Sequence, residues 1–282
     1  MDDAGVSPED FAFIAKIVRD ECALVLEPGK EYLVRGRLTP IAQKHGLGGV
    51  AKLIERLRGS PGRALTTEVI EAMLTTETSF FRDFHPFETL KNVVLPELIE
   101  RRRGRRQLNI WCAASSSGQE PYSIALLLQE NFPELASWRV TLSATDVSLE
   151  MLQRAQTGRY SQMEISRGLP ADVLRKWFTQ EGTTWRLDER VRSAVKFSQL
   201  NLAQPWPAMP LWDLVFLRNV MIYFDPAVKK AILGRVARVL QKDGYLLLGG
   251  SETTLSLDDS YARVERLKAG FYQLKPTGVP LP

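Results

Sequence analysis

Residues 109–126 read NIWCAASSSGQEPYSIAL, and this stretch decides the fold. The apolar run that ends at Ala113 is typical of a buried strand, and the segment after Gln119 has the apolar spacing of a helix. The small residues between them, Ala113 to Gly118, allow the backbone to approach a ligand next to the free N–H groups of the helix N-terminus. Only one of the three glycines of a dinucleotide fingerprint is present, so the turn by itself is compatible with a ligand-binding loop or with a tight strand-to-helix connection.

Strand and helix patterns alternate from residue 107 onward, which predicts an α/β fold with a doubly wound, mostly parallel sheet. The segment 157–193 interrupts this order with a short amphipathic helix (171–178) and a hairpin-like stretch (183–191), and we interpret it as an insertion. Two last alternating segments predict a hairpin (262–266 with 270–275). The other predicted strands are 108–113, 140–144, 195–199, 214–217 and 245–249, and the other predicted helices are 120–129, 149–156 and 227–240.

The first 75 residues have helical spacing and predict a small all-helical domain. Residues 1–29 hold two basic and seven acidic side chains, whereas residues 30–63 hold eight basic and two acidic ones. A basic face therefore follows an acidic one, and it favours an acidic partner. The first helix is predicted from the N-cap Ser7 through Val18, and the others cover 33–45, 50–58 and 66–74, with breaks at glycines and at a GSPG turn (59–62).

The composition excludes several kinds of chemistry. The 282 residues carry a net charge of +4 and are 44% hydrophobic and 25% charged, as in ordinary soluble proteins. No apolar run approaches the ~18 residues of a membrane span, and the start MDDAG is acidic where a signal peptide is basic. We therefore expect a cytoplasmic protein. Two cysteines and two histidines are too few for a zinc site or a disulfide framework, so we expect no metal. The chemistry must then use carboxylates, hydroxyls, arginines and backbone groups, or a bound organic cofactor.

Polar residues end two of the predicted strands. Asp146, in SATDVS, is placed to accept hydrogen bonds from the ribose hydroxyls of a nucleotide at the carboxyl ends of the strands. Capping of the helix that starts near Leu149 is the alternative role for this carboxylate. Arg218 and Asn219 end the strand DLVFLRN and add polar groups to the same edge.

Five segments closely resemble the chemotaxis receptor methyltransferase family, CheR, and they cover nearly the whole chain in the right order. The resemblance implies an all-helical N-terminal domain (1–75), a linker that contributes to the cofactor site (76–106), and an S-adenosylmethionine-dependent methyltransferase domain (107–282) with a β-subdomain inserted at about 157–193. It also implies methylation of glutamate side chains on the cytoplasmic helices of chemoreceptors, with S-adenosylhomocysteine as product. The segments are MLTTETSFFRDFHPF (73–87), WCAASSSGQEPYS (111–123), ATDVS (144–148), FSQLNL (197–202) and DLVFLRNVMIYFD (213–225).

The resemblance also implies site residues. Tyr223 matches a tyrosine beside the transfer site. Three residues depart from the family pattern, namely Thr76 (commonly Asn), Ala114 (frequently Gly) and Gln119 (an acid), so we expect altered cofactor affinity and not lost binding. The implied cofactor contacts are Thr76, Thr78, Arg82, Glu120, Asp146, Asn201, Leu202, Arg218 and Asn219.

A glutamate substrate suits a chain without clustered histidines. Its carboxylate has a reference pKa of about 4.3, so it is ionised at neutral pH and needs no general base. In-line placement then replaces acid–base catalysis. We predict that the Tyr223 hydroxyl, together with an arginine from 101–103, holds the substrate carboxylate. The run RRRGRR (101–106) is predicted to be a solvated helix end and turn before the first strand, and not a nucleic-acid site.

The basic stretch supplies candidate docking residues for receptor helices that present glutamates, although an ordinary solvated helix face is the alternative for each of them. Family members tethered to a receptor pentapeptide have a glycine-containing insertion in the β-subdomain. The corresponding KWFTQEGTTWRL (176–187) is short and has only Gly182, which favours direct recognition without that tether. The docking candidates are Arg35, Arg37, Lys44, Arg56 and Arg58.

Two other functions stay open at this point. One is methylation of a different substrate, and the other is a receptor-binding scaffold without turnover. LRNVMIYF is not the Asn/Asp-Pro-Pro-aromatic motif of DNA amino-group methylation, and the arginines are not interleaved with stacking aromatics, which argues against a nucleic-acid partner. Retention of Thr78, Arg82, Glu120, Asp146 and Asn219 argues against the scaffold. Nothing in the sequence demands more than a monomer.

Overall fold

The computed structural model describes residues 6–59 and 62–276. The acidic start (1–5), the centre of the predicted GSPG turn (Ser60 and Pro61) and residues 277–282 lie outside the described residues. The chain divides into two compact units, Met1–Thr75 with Tyr223–Val228, and Thr76–Ile222 with Lys229–Pro282. In the part of the chain that is described, no helix is long and apolar enough to cross a membrane.

The first unit is built from four helices, as predicted. Ser7 caps the first helix, because its hydroxyl accepts a hydrogen bond from the Asp10 N–H at 3.1 Å. Phe11, Ile14 and Val18 follow at helical spacing and are buried in the core of this unit. The fourth helix begins earlier than predicted. The helices are α1 (Pro8–Cys22), α2 (Glu31–Lys44), α3 (Val50–Arg58) and α4 (Gly62–Met73).

Residues Tyr223–Val228 belong to this helical unit. The Val25 N–H donates to the Tyr223 carbonyl at 2.9 Å, and Leu24 forms an isolated antiparallel bridge with Phe224. The sequence pattern did not predict this, because the pairing joins positions about 200 residues apart.

A seven-stranded sheet dominates the second unit, with strand order β6-β2-β1-β7-β8-β10-β9. The first five strands of this order are parallel, and β10 runs antiparallel to both of its neighbours. The predicted mostly parallel sheet and the closing hairpin are therefore confirmed. Every residue of β7 is buried, as expected for a strand covered on both faces. The strands of this sheet are β1 (Gln107–Ala113), β2 (Arg139–Asp146), β6 (Val195–Gln199), β7 (Trp212–Leu217), β8 (Leu240–Leu248), β9 (Tyr261–Arg263) and β10 (Phe271–Leu274).

Helices connect these strands, and one of them lies in the segment predicted as a linker. Residues 85–102 are helical, in three consecutive pieces with a π-helical turn in the middle (Leu90–Val94). The sequence analysis did not predict this helix, although Phe87, Leu90 and Leu98 are buried at helical spacing. The helices of this unit outside the insertion are α5 (His85–Thr89), α6 (Leu95–Arg102), α7 (Gln119–Asn131), α8 (Leu149–Thr157) and α12 (Pro226–Val239), whose first turn belongs to the helical unit.

The insertion forms a separate antiparallel sheet of three strands, in the order β3-β5-β4. The predicted hairpin at 183–191 is displaced, since the observed one turns at Gly182 and Thr183, where Gly182 has a φ of +62°. Residues Glu189–Arg192 are a helix, capped by Asp188. The elements are β3 (Arg159–Ser161), α9 (Gln162–Ser166), α10 (Ala171–Trp177), β4 (Phe178–Glu181), β5 (Thr184–Leu187) and α11 (Glu189–Arg192).

The RRRGRR run is the predicted helix end and turn before β1, and its residues are exposed except Arg102, which is buried. The Arg102 side chain is 7% exposed and pairs with the fully buried Asp213 at 2.6 Å and with Asp243 at 2.5 Å. Arg105 also donates to Asp213 at 2.6 Å. Hydrogen bonding to Asp243 and to Asp213 raises the pKa of Arg102. These ion pairs connect Arg102, at the end of α6, and Arg105 to the amino ends of β7 and β8. They form because the buried Asp213 carboxylate must be paired.

Candidate cofactor site

The site is the carboxyl edge of three neighbouring parallel strands. β1 lies between β2 and β7, so the residues after Ala113, at Asp146 and after Leu217 meet at one edge of the sheet. In open α/β sheets this edge is where ligands bind.

The turn after β1 has an unusual backbone. Ala114 and Ser116 have φ values of 59° and 48°, and Gly118 has a φ of 92°. A Cβ on Gly118 would lie 2.9 Å from the Ala155 Cβ and 3.1 Å from the Tyr122 ring, so a side chain has no room there. The turn therefore stays close-packed under α7, as its run of small residues indicated.

Asp146 holds this turn in place. It is 8% exposed, its Oδ2 accepts the Ser116 N–H at 2.7 Å, and its Oδ1 accepts the Ser148 N–H at 2.9 Å. The alternative capping role is wrong, because the N-cap of α8 is Ser148, whose hydroxyl accepts the Met151 N–H. The carboxylate of Asp146 therefore lies directly beside the turn, at the carboxyl end of β2.

Arg218 connects two acidic groups at the same edge. Its side chain is 1% exposed and donates to Glu120 Oε2 at 2.8 Å and to Asp83 Oδ2 at 2.7 Å. It also donates to the Arg82 carbonyl at 3.1 Å. Burial raises the pKa of Glu120, although Arg218 acts in the opposite direction. Glu120 is therefore a buried carboxylate that forms an ion pair with Arg218.

The segment that follows Thr75 lies beside the turn. The Ser116 hydroxyl donates to the Thr76 carbonyl at 2.6 Å, and the Phe81 N–H donates to the Ser123 hydroxyl at 2.9 Å. Arg82 donates to the Glu77 carbonyl at 3.0 Å. Thr76 is therefore in contact with the turn, and the Arg82 carbonyl is in contact with Arg218. Thr78 is half-buried in the same segment, and its contact with the cofactor stays a prediction.

Asn201 and Leu202 follow Leu200, whose N–H donates to the Asp146 carbonyl at 2.9 Å, and their contact with the cofactor stays a prediction. Asn201 Oδ1 accepts the Ala203 N–H at 2.9 Å. Leu202 is buried, and its carbonyl accepts a hydrogen bond from Arg235 at 2.7 Å.

The side chain of Gln119, one of the departures from the family pattern, bonds to neighbouring residues of the protein. It is 1% exposed, its Oε1 accepts the Ser117 hydroxyl at 2.8 Å, and its amide lies 3.4 Å from Glu164. The amide accepts from the Ser117 hydroxyl and donates to the Glu164 carboxylate, which an acid at this position would repel, so the replacement of an acid here has a local reason. The expected change in cofactor affinity stays a prediction.

The arginines at 101–103 do not belong to this edge, and their predicted role with the substrate is wrong. They lie before β1, at the amino ends of the strands. Arg101 pairs with Glu97, and Arg103 pairs with Glu100. A side chain at the opposite edge of a parallel sheet cannot reach the carboxyl ends of its strands.

The docking candidates Arg37, Lys44 and Arg58 make bonds within the helical unit. Arg37 donates to the Met73 and Leu74 carbonyls at 2.6 and 2.9 Å, at the end of α4. Lys44 pairs with Glu68 at 2.7 Å, and Arg58 lies 3.1 Å from Asp10. Arg35 and Arg56 are exposed. The docking role of all five stays a prediction.

Asp83 and Glu252 belong to this edge and were not predicted from the sequence. Glu252 lies after β8 and is 9% exposed, and its carboxylate accepts hydrogen bonds from the residues that follow β7. Two glycines precede it in GGSET, which is only a general turn signal.

An α/β sheet with a small-residue turn after its first strand and an acid ending the second has the arrangement typical of domains that bind a nucleotide-like cofactor. The model of the CheR methyltransferase SAM-binding domain matches residues 76–269, and that of the CheR methyltransferase all-alpha domain matches residues 9–74. The chain therefore belongs to the CheR methyltransferase family, and its cofactor is S-adenosylmethionine.

Curated relatives agree with this assignment. The chain is 39% identical over 271 residues to chemotaxis protein methyltransferase Cher2 of Pseudomonas putida, covering 94% of this chain and 98% of the relative. It is 39% identical over 271 residues to chemotaxis protein methyltransferase 1 of Pseudomonas aeruginosa, with the same 94% and 98% coverage. It is 36% identical over 274 residues to a chemotaxis protein methyltransferase of Vibrio parahaemolyticus, covering 96% and 98%.

The polar groups at the edge fit this cofactor. Ser115 Oγ and Arg218 Nε are buried without a hydrogen-bond partner among the described residues, and buried polar groups normally have one. A cationic, hydroxyl-bearing molecule supplies donors to the carboxylates of Asp146 and Glu120. In residues 6–59 and 62–276, no three His, Cys, Asp or Glu side chains are grouped to hold a metal ion. The expectation of a metal-free enzyme stays a prediction.

Proposed function

We propose that this protein transfers the methyl group of S-adenosylmethionine to glutamate side chains of chemoreceptors, giving methyl esters and S-adenosylhomocysteine. The observation that carries the proposal is the match of both family domains, in order, over residues 9–74 and 76–269. Relatives that share almost their whole length with this chain are named chemotaxis protein methyltransferases.

The cofactor, when bound, supplies an electrophilic methyl group on a sulfonium. We assign its ribose hydroxyls to Asp146, whose carboxylate lies at the carboxyl end of β2 beside the small-residue turn. Glu120, buried with a cation on one side, suits its ammonium group. The remaining holding residues in the proposal are Thr76, Thr78, Arg82, Asn201, Leu202, Arg218 and Asn219.

A glutamate substrate carries its own charge into the reaction. Since its reference pKa is about 4.3, the carboxylate is already a nucleophile at neutral pH. The protein then has to hold one carboxylate oxygen in line with the methyl group. We assign this task to the Tyr223 hydroxyl, which donates a hydrogen bond without neutralising the carboxylate. A Tyr223→Phe enzyme with unchanged kcat and unchanged receptor KM contradicts this role.

The receptor is proposed to dock on the basic residues of the helical unit. Complementary charge mainly raises the rate of encounter and the selectivity between partners. The test is the rate of receptor methylation at increasing salt and in a variant with Arg35 and Arg56 both changed to glutamate. If neither change lowers the rate, the docking proposal is contradicted.

Direct recognition without a pentapeptide tether is supported by the β4–β5 hairpin, whose turn contains only Gly182 and Thr183. The test is calorimetry with a receptor C-terminal pentapeptide, in which micromolar or tighter binding contradicts the proposal. We also propose that the enzyme acts in the cytoplasm as a monomer, which light scattering on the purified protein tests.

The decisive experiment is transfer of radiolabelled methyl groups to a membrane-containing lysate of the source cells, followed by mild alkali. Label on a membrane protein that alkali releases as methanol identifies a carboxyl ester and supports the proposal. Alkali-stable label or labelled nucleic acid indicates a different substrate. Cofactor binding without any transfer, with receptors present, indicates a scaffold. Asp146→Asn is the matched control and should lose the label.

A further inference from the structure

The Glu252 carboxylate accepts four backbone hydrogen bonds. Oε2 accepts the Asn219 N–H at 2.8 Å and the Gly249 N–H at 2.8 Å. Oε1 accepts the Val220 N–H at 2.9 Å and the Met221 N–H at 2.7 Å. These are the short distances of charge-assisted hydrogen bonds. One side chain therefore joins the end of β8 to the chain that leaves β7.

The chain after β7 needs this support. Asn219 has a φ of 57°, in the left-handed region, which is costly for a residue with a side chain and persists where the surroundings hold it. Its N–H and the next two point at one carboxylate. Without that acceptor, three amides near the sheet edge lose their partner.

The packing around Glu252 is tight. A Cβ on Gly249 would lie 2.7 Å from Glu252 Oε2 and 2.9 Å from both the backbone nitrogen and Nδ2 of Asn219. The carboxylate also acts on the cofactor site electrostatically, because its charge contributes, after burial, to the raised pKa of Glu120. Glu252 is thus close to both Asn219 and Glu120.

We propose that Glu252 is a positioning residue for the cofactor site, and that it acts through the backbone of residues 219–221. It does not itself hold the cofactor. It fixes Asn219 in its left-handed conformation, and with it the direction of Arg218, whose guanidinium pairs with Glu120. This inference rests on the proposed function, since it concerns the same site.

The test compares Glu252→Gln with Glu265→Gln, an exposed glutamate of the same unit. Glutamine has the size of glutamate but turns an NH2 group toward two N–H donors, so two amides lose their acceptor. We expect the affinity for S-adenosylhomocysteine, measured by calorimetry, to fall about tenfold or more, and kcat for methyl transfer to fall about 100-fold, since a shift near 1 Å has such effects. Hydrogen exchange of a peptide covering 218–224 should become faster. Glu265→Gln should match the wild type in all three.

A conservative variant gives a second readout. Glu252→Asp keeps the charge but is one methylene shorter, so we expect it to recover part of the cofactor affinity that Glu252→Gln loses. If Glu252→Gln does not fold, a Glu252→Asp protein with wild-type affinity and wild-type exchange overturns the proposal. Faster exchange in 218–224 with unchanged cofactor affinity in Glu252→Gln overturns it as well. Wild-type protein that binds S-adenosylhomocysteine but methylates no receptor contradicts the proposed function alone.

Discussion

Replacement of Asp213 by asparagine should destabilise the α/β unit without changing its cofactor site. Asp213 is fully buried and accepts three hydrogen bonds, from Arg102 at 2.6 Å, from Arg105 at 2.6 Å and from the Asn109 N–H at 2.8 Å. Removal of one partner of a buried ion pair costs about 3–5 kcal/mol. Arg102 keeps Asp243 in the variant, so we expect the lower end of that range.

The expected loss in the free energy of unfolding is therefore about 3 kcal/mol, which for a unit of this size lowers Tm by about 6–12 °C. Circular dichroism during urea and thermal unfolding measures both quantities. Asp243→Asn is the matched control, because the Asp243 side chain is 45% exposed and Arg102 keeps its buried partner. We expect it to cost about 1 kcal/mol.

The affinity for S-adenosylhomocysteine should stay at the wild-type value in both variants below their unfolding temperature, because the ion pairs lie at the amino ends of the strands and the site at the carboxyl ends. A free energy of unfolding of Asp213→Asn within about 0.5 kcal/mol of the wild type refutes the energetic reasoning. Weaker cofactor binding by folded Asp213→Asn refutes the separation of the two edges.

Three further predictions concern the site and the helical unit. Asp146→Asn should weaken binding of S-adenosylhomocysteine about tenfold or more, since a charge-assisted acceptor is worth about 1.5–3 kcal/mol; calorimetry showing less than a twofold change contradicts the assignment. Because burial raises the pKa of Glu120, its ionised form is lost at a higher pH than that of an ordinary glutamate. Affinity for S-adenosylmethionine should therefore fall as the pH drops through the raised pKa of Glu120. If Glu120→Gln binds with the same pH dependence as the wild type, this prediction is wrong. Arg37→Ala should destabilise the helical unit by about 1–3 kcal/mol, because it removes two hydrogen bonds to carbonyls at the end of α4. Arg56→Ala is the control, because Arg56 is exposed, and it should leave the urea unfolding curve unchanged. If Arg37→Ala and Arg56→Ala have the same unfolding curve, the stabilising role of Arg37 is contradicted.

Local signals predicted the elements well. The Ser7 cap, the apolar spacing of α1 and the buried run of β7 each depend on neighbouring residues, and all three elements are present. The small-residue turn and Asp146 were predicted for the same reason, since a strand end and the turn beside it are short-range features.

The sequence patterns did not predict hydrogen bonds and ion pairs between residues that are far apart in the chain. Arg102 belongs to a run of arginines that has the composition of a solvated turn, yet its partner Asp213 is 111 positions away. Glu252 reaches Asn219 across 33 positions. A side chain that bonds to backbone N–H groups leaves no periodic trace, because any backbone offers the same groups.

The sequence by itself determined the four N-terminal helices, the mostly parallel sheet and the position of Asp146 at its carboxyl edge, because apolar spacing and turn residues act over a few positions. It did not reveal the helix at 85–102 or the exact hairpin of the insertion. Tertiary structure alone decided which charges pair. It placed the arginines of 101–106 at the amino edge, away from the site, and it placed Glu252 beneath the residues that follow β7. Burial is the physical reason: a charge that leaves water must find a partner in space, whatever its distance along the chain.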